Sequence, residues 1–358
     1  MRKVRVNTDK PYDIMIERGL IKNVGPLIKN VTSASRVTVI SDTNVGKFYV
    51  GDVISSLEKC GFITSLFTYG AGEKSKNLNT ISNMYYHMAD FKMSRKDIVV
   101  ALGGGVCGDM AGFAAATYMR GIDFVQIPTS LLAQVDSSVG GKTGVDIPSG
   151  KNLVGAFHQP RLVIIDPDTL DTLPEYYYND GMAEVIKYGC IKDKALFETL
   201  ESKNAADIIE DVIERCVSIK RDVVVRDEKE AGERMLLNFG HTIGHSLEKI
   251  YNFDSLSHGQ AVAIGMVMIT KASEQDGITE TGVSERLINL LKKYKLPVSD
   301  DASIRKIAKF CEGDKKAGAG SVNLVLLKKL GDSFIKKTEL KELESFIRIR
   351  EKDVRYYY

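Results

Sequence analysis

Apolar and polar positions follow two different rhythms along this chain. Up to about residue 170, short β-branched runs alternate with stretches whose apolar residues recur at helical spacing. RVTVISD (Arg36 to Asp42) reads as a strand ending in a turn. VGKFYVGDVISSLEKCG carries the helical period and stops at Gly61. FITSLFTYG is the next strand, TISNMYYHMADF the next helix and DIVVALG another strand, with a helix after the glycines that follow. DFVQIPTS and LVIIDP are two further short strands. This βαβα order predicts a largely parallel sheet covered by helices.

After Pro174 the rhythm changes. ALFETLESKNAADIIEDVIERCVSIKRDVV and AVAIGMVMITKASEQDG carry i, i+3, i+4 apolar spacing with little strand signal. SVNLVLLKKLGDSFIKKT reads as a small hairpin turning at Gly331 and Asp332, and KELESFIRI closes the chain as a helix. A chain of 358 residues also exceeds the size at which one core keeps growing. The expectation is therefore an α/β domain over residues 1–170, Rossmann-like with a mostly parallel sheet, followed by an all-helical domain over residues 171–358, apart from that hairpin.

Composition narrows the function. A net charge of +2 is too small to argue for nucleic acid or an anionic membrane. The basic N-terminus lacks the apolar stretch of a signal peptide. The longest apolar run, Ala261 to Ile269, is about half of the ~20 residues that a membrane span needs. Cys60, Cys107, Cys190, Cys216 and Cys311 are scattered, odd in number and free of any CxxC, as expected of reduced thiols in a cytoplasmic protein.

Two blocks carry chemistry. In the first, Gly103, Gly105 and Gly108 satisfy G-x-G-x-x-G between a strand and a helix expected to begin near Val106 or Gly108. Glycines admit a tight turn and close backbone approach, and a helix N-terminus offers unpaired N–H groups to a pyrophosphate. The same glycines could instead serve only to pack the helix on the sheet. The acid that should follow about 20 residues later is missing: Asp123 opens a strand, and Asp42 ends one upstream of the loop. In the second block, three of the five histidines fall between His241 and His258. His241 and His245, at i, i+4, share a helical face, which makes them the metal ligands that spacing favours, with the carboxylate unidentified. Structural, hydrogen-bonded histidines are the alternative. Ser257 reads as an N-cap before a helix near Gly259. Arg234, Asn238 and His241, at spacings of four and three, read as a polar stripe along one helical face, and Glu184 and Lys187 share another.

Taken together, GGGVCGDMAGF, YMRG, QIPTSLLAQVDSSVGGKTGVD, GKNLVGAFHQP, GMAEVIKYG, LLNFGHTIGHSLE, HGQAVAIGM and GDKK resemble the 3-dehydroquinate synthase family, in order and over nearly the whole chain. The resemblance implies NAD in the first domain, a divalent metal (zinc or cobalt) in the second, and an active site in the cleft between them. It makes Glu184, His241 and His258 the metal ligands and moves His245 to the substrate side. It assigns Gly104, Gly105, Val106 and Asp109 to the pyrophosphate loop, and Asp42, Glu73, Lys76, Thr129, Ser130, Lys142, Lys151, Thr169 and Thr172 to further NAD contacts. It assigns Asp136, Lys142, Asn152, Lys187, Lys220, Arg234, Asn238, His245 and the Lys315–Lys316 pair to the substrate, a phosphorylated sugar acid. Arg120 resembles a residue that reaches across a homodimer interface. Ala71 and Ser130 depart from the family pattern, the latter keeping its hydroxyl. The rivals are another sugar-phosphate cyclase such as a 2-deoxy-scyllo-inosose synthase, a metal-dependent polyol dehydrogenase, and a dinucleotide-sensing binding protein without catalysis.

Overall fold

The computed structural model describes residues 1–252, 255–312 and 320–348. The chain forms two compact units: Met1–Tyr178 with Ile209–Lys229, and Asn179–Ile208 with the residues from Glu230 onward.

The first unit is built on a sheet. Its strands, in chain order, are β1 (Arg2–Val6), β2 (Tyr12–Ile16), β3 (Arg36–Asp42), β4 (Ile63–Tyr69), β5 (Ile98–Gly103) and β6 (Asp123–Pro128). A separate hairpin, β7 (Lys142–Ile147) and β8 (Gly150–Phe157), precedes β9 (Leu162–Ile165). The seven sheet strands lie in the order β1-β2-β9-β6-β5-β3-β4, all parallel except β1. Sequence rhythm finds β3 to β6 and β9 but misses β1, β2 and the β7–β8 hairpin. Every residue of β5 is buried, as a strand covered on both faces requires. Its alternate residues feed two cores. Ile98, Val100 and Leu102 pack with Val53 and Leu57, whereas Val99 and Ala101 pack with Met84, Met110 and Ala114.

Strand β3 pairs with β4 on one side and β5 on the other, so the winding direction reverses there. The carboxyl ends of strands at such a switch point are where open α/β sheets bind ligands. Asp42 ends β3 and Gly103 ends β5. The helix after β5 begins at Gly105, earlier than the sequence suggests. It lies close on β6 because Gly108 has no side chain: a Cβ there would stand 2.5 Å from Gln126 Oε1.

Just before β5, Asp97 is 3% exposed and accepts the backbone N–H groups of Ser94 at 2.6 Å, Arg36 at 2.8 Å and Ser35 at 3.3 Å. Burial raises its pKa, but those donors outweigh it and hold the carboxyl below its ordinary value. A depressed folded pKa gives stability that is present in full above the unfolded value near 3.9, and lost as pH falls through the folded one. Asp97→Ala is expected to cost about 3 kcal/mol at pH 7, since it strands three donors. The difference from the parent should shrink below about pH 4, where the parent carboxyl protonates. Denaturant unfolding at pH 7 and pH 3 checks both.

Helix Ile209–Arg226 clusters with the first unit although it lies well beyond residue 170. It packs on β1 and on Ala133–Ser137, and Arg2 pairs with Asp211 and Glu214. The second unit is helical around the hairpin Ser321–Lys329/Asp332–Glu339. Leu330 and Gly331 form the turn of that hairpin, while Asp332 already opens the second strand. The closing helix is Leu340–Ile347.

Candidate active site

In the first unit, the loop after β5 is shaped by absent side chains. A Cβ at Gly104 would stand 3.3 Å from Ser130 Oγ, and one at Gly105 3.0 Å from Ser137 Oγ. This bare backbone opens onto the N-terminus of the Gly105–Thr117 helix, whose amides suit a pyrophosphate. Val106 lies in the first turn and packs into the core behind it. Thr129 donates its N–H to the Gly103 carbonyl at 3.0 Å, and Ser130 Oγ accepts from Ala133 N–H at 3.4 Å. Asp42 Oδ1 accepts from Asn44 and Val45 N–H at 2.8 and 3.1 Å, while Oδ2 faces Gly103, 3.4 Å from where its Cβ would be. The upstream acid is thus beside the loop in space, although the sequence order is not that of the usual fingerprint. Thr169 accepts from Gln134 Nε2 at 2.9 Å, and Thr172 shares a hydrogen bond with Tyr49 Oη at 2.5 Å.

A charged network adjoins the loop. The buried Lys76 Nζ lies 2.7 Å from Asp109 Oδ2, 3.8 Å from Glu73 Oε1 and 2.6 Å from Asn152 Oδ1. Burial alone would lower the Lys76 pKa; Asp109 and Glu73 outweigh it, so the ammonium is held charged. Lys151 Nζ approaches the same Glu73 oxygen at 3.9 Å. Asn152 occupies left-handed backbone at φ 53° and donates its N–H to Asp146 at 2.7 Å. Lys220 lies 3.0 Å from Asp136 Oδ1 and donates to the Asp136 carbonyl at 2.7 Å. Lys142 opens β7 with its side chain exposed. Arg120 follows Met119 in a left-handed pair with φ of 68° and 48°.

In the second unit, helices Glu175–Ile191, His241–Ile250 and His258–Gln275 bring Glu184, His241 and His258 together. Both Nε2 atoms face one carboxylate oxygen: His241 lies 3.5 Å and His258 3.7 Å from Glu184 Oε1. These separations are long for hydrogen bonds. They fit ligation, since donors about 2.1 Å from a tetrahedral ion stand roughly 3.4 Å apart. Lys187 donates to the other oxygen, Oε2. His241 Nδ1 stands 3.1 Å from the Phe239 carbonyl, which sets the tautomer with Nδ1 protonated and Nε2 bearing a lone pair. Burial lowers the His241 pKa to about 3, so its ring is neutral. Burial would lower His258 too, but the carboxylates of Glu184 and Glu248 on either side of its ring push it up to about 10. A divalent ion competes for the place of that proton.

His245, which spacing pairs with His241 as a ligand, turns elsewhere. Its ring is edge-on to His241, 5.5 Å between centroids, and it groups with Glu248 and His258. His258 therefore faces two acids: its Nδ1 is 3.5 Å from Glu248 Oε1. The polar stripe is also corrected. Arg234 and Asn238 lie on a short 3-10 helix, Glu233–Asn238, and Gly240 at φ 78° separates it from the helix that starts with His241. Arg234 is buried, and Asn238 Nδ2 donates to Glu230 Oε1 at 2.9 Å. Lys315 and Lys316 lie outside the described residues. Two acids beside the cluster escaped the sequence reading, and each carried a signal: Glu248 follows His245 by three residues and Asp180 precedes Glu184 by four, both helical-face spacings.

Comparison with known proteins adds independent observations. The family description "3-dehydroquinate synthase N-terminal" matches residues 66–180, and "3-dehydroquinate synthase C-terminal" matches residues 181–317. A 3-dehydroquinate synthase of Clostridium acetobutylicum is 48% identical over 343 residues, covering 94% of this chain and 96% of that relative. Among solved structures, a 2-deoxy-scyllo-inosose synthase complexed with carbaglucose-6-phosphate, NAD+ and Co2+ superposes with a TM-score of 0.87 at 25% identity, covering 97% of this chain and 99% of that one. The 2-epi-5-epi-valiolone synthase of Streptomyces hygroscopicus, with NAD+ and Zn2+ bound, gives 0.86 at 27% identity, covering 97% and 98%.

Proposed function

Because the chain belongs to the 3-dehydroquinate synthase family, we propose that it converts 3-deoxy-D-arabino-heptulosonate 7-phosphate to 3-dehydroquinate and phosphate. The observation that carries this reading is the gathering of Glu184, His241 and His258 around one point in a chain 48% identical to a protein of that name. The activity is that of a carbon–oxygen lyase of the shikimate pathway, serving aromatic amino-acid synthesis. Its steps are oxidation at C5, phosphate β-elimination, reduction, ring opening and aldol closure.

Both implied groups fit the residues. The glycine loop, with Gly104, Gly105, Val106 and Asp109, would hold the NAD pyrophosphate, and Asp42, Glu73, Lys76, Thr129, Ser130, Lys142, Lys151, Thr169 and Thr172 would complete that site. Glu184, His241 and His258 would hold one divalent cation, zinc or cobalt, as an open oxygen–nitrogen set. When bound, NAD supplies a hydride acceptor, and the cation a Lewis acid beside the hydroxyl to be oxidised. Lys142, Lys187, Lys220 and Arg234 neutralise a substrate that carries both phosphate and carboxylate. Asp136, Asn152 and Asn238 orient its hydroxyls, and His245 serves the phosphate end or relays a proton. The leaving phosphate acts as its own base in the elimination. The protein acts as a homodimer in the cytoplasm, with Arg120 of each chain serving its neighbour's phosphate. No helix among the described residues is long and apolar enough to cross a membrane.

The test is phosphate release from the heptulosonate phosphate with NAD+ well below substrate concentration. Full conversion without net NADH is expected. Accumulating NADH from a polyol would identify a dehydrogenase, and turnover of a hexose 6-phosphate in its place would identify a different cyclase.

A further inference from the structure

We propose that Asp180 is a positioning residue for the metal, fixing His258 against Glu184; the proposal rests on the ligand set argued above. Asp180 and Glu184 stand four residues apart on the helix Glu175–Ile191, one turn of a common face. Asp180 Oδ1 accepts the Gly259 N–H at 2.7 Å and also the Ser257 hydroxyl. Those two residues flank His258, the first residue of its own helix. The carboxylate therefore holds the residues on both sides of the ligand, Gly259 by its backbone N–H and Ser257 by its hydroxyl, and ties them to the helix that bears the ligand carboxylate.

The approach is as close as the backbone allows. A Cβ at Gly259 would stand 2.1 Å from the Asp180 carbonyl oxygen and 2.6 Å from Oδ1. Ser257 is fixed in turn by a capping box: its N–H reaches Gln260 Oε1 at 3.1 Å, and its Oγ accepts from Gln260 N–H at 3.3 Å. The ring of His258 thus leaves a braced first turn, and its distance to Glu184 is set through Asp180. A group that holds the residues flanking a ligand and does not touch the cation acts on the geometry of the grip, as partners behind metal ligands do.

The experiment strips the full chain of metal with a chelator and titrates it with Co²⁺ alone. Affinity is followed by competition with a chromophoric chelator, and geometry by the d–d absorption of the bound ion. Asp180→Ala is expected to bind Co²⁺ about 10–100-fold more weakly with an altered d–d band. Asp180→Asn keeps an oxygen for the Gly259 N–H and should stay within about threefold of the parent. Ser257→Ala, which removes only the hydroxyl arm, covers the case in which Asp180→Ala does not fold, and should weaken binding severalfold. Parent affinity and an unchanged spectrum in the folded variants, with only thermal stability lowered, would overturn the proposal and leave Asp180 a helix cap. If the parent binds no Co²⁺, or His241→Ala binds it equally well, the ligand set itself fails and the proposal with it.

Discussion

His241→Ala is expected to leave the purified protein without bound metal and to lower turnover by at least ~10³-fold, the loss of the several kcal/mol that a Lewis acid supplies. The reasoning starts from the donor set. A three-ligand site holds its ion by one carboxylate oxygen and two imidazoles, and His241 is the ring whose tautomer the backbone already fixes, through Nδ1 and the Phe239 carbonyl. Its removal leaves two donors, too few to retain the ion against a chelator. The fold should survive. Glu184 keeps Lys187 as a partner in a buried pair, so no uncompensated charge remains in the interior. Atomic absorption on the dialysed protein measures the metal, and circular dichroism checks the fold. A variant that retained one metal per chain would show that the ion sits elsewhere, with the group of His245, Glu248 and His258 the next place to look.

How much of this was legible in the sequence depends on the range of each signal. The strands β3, β5 and β9 are buried runs of β-branched and aliphatic residues, and local composition announces them. The β7–β8 hairpin is not announced, because its glycines and polar residues read as a ligand loop. There Gly144 and Gly155 let two backbones approach, which no pattern of apolar residues records. The same division holds at the site. The i, i+4 spacing of His241 and His245 is local and visible, yet it does not say where each ring points. Glu184 lies 57 residues before His241, and only the packing of three helices unites them, so family resemblance points to it where spacing does not. The expected stripe from Arg234 to His241 was undone by a single glycine in left-handed backbone, Gly240, which restarts the helix.

Gly265→Ala is expected to damage the metal site from a distance, because the helices carrying His241 and His258 meet there backbone to backbone. A Cβ at Gly265 would stand 2.1 Å from the Gly240 carbonyl oxygen, 3.0 Å from its carbon and 3.1 Å from the Gly244 nitrogen. None of these atoms can rotate aside, so one methyl group forces the two helices apart by roughly 1 Å or unwinds the turn at Gly240. Gly244 makes the reciprocal approach, its Cβ position lying 3.1 Å from the Ala261 carbonyl group. The contact ends one residue before His241 and seven residues after His258, so its spacing is transmitted to both rings, whose centroids are 5.2 Å apart. A shift of that size takes the two imidazoles out of reach of one ion, given donor separations already at 3.5 and 3.7 Å from Glu184 Oε1. The expected result is a loss of about 3 kcal/mol in unfolding free energy, the upper end for an overpacked core. Metal affinity should fall about 10–100-fold alongside it, the scale seen when support behind the ligands is lost. Gly51→Ala, at an exposed position of the helix Gly46–Lys59 where a methyl meets nothing within 4 Å, serves as the control: it should leave metal affinity unchanged and not lower stability, a helical Ala being favoured over Gly by up to about 1 kcal/mol. Denaturant titration and chelator competition read the two effects separately. Unchanged metal affinity in a destabilised Gly265→Ala would mean that the helix contact supports the fold without setting the ligand geometry.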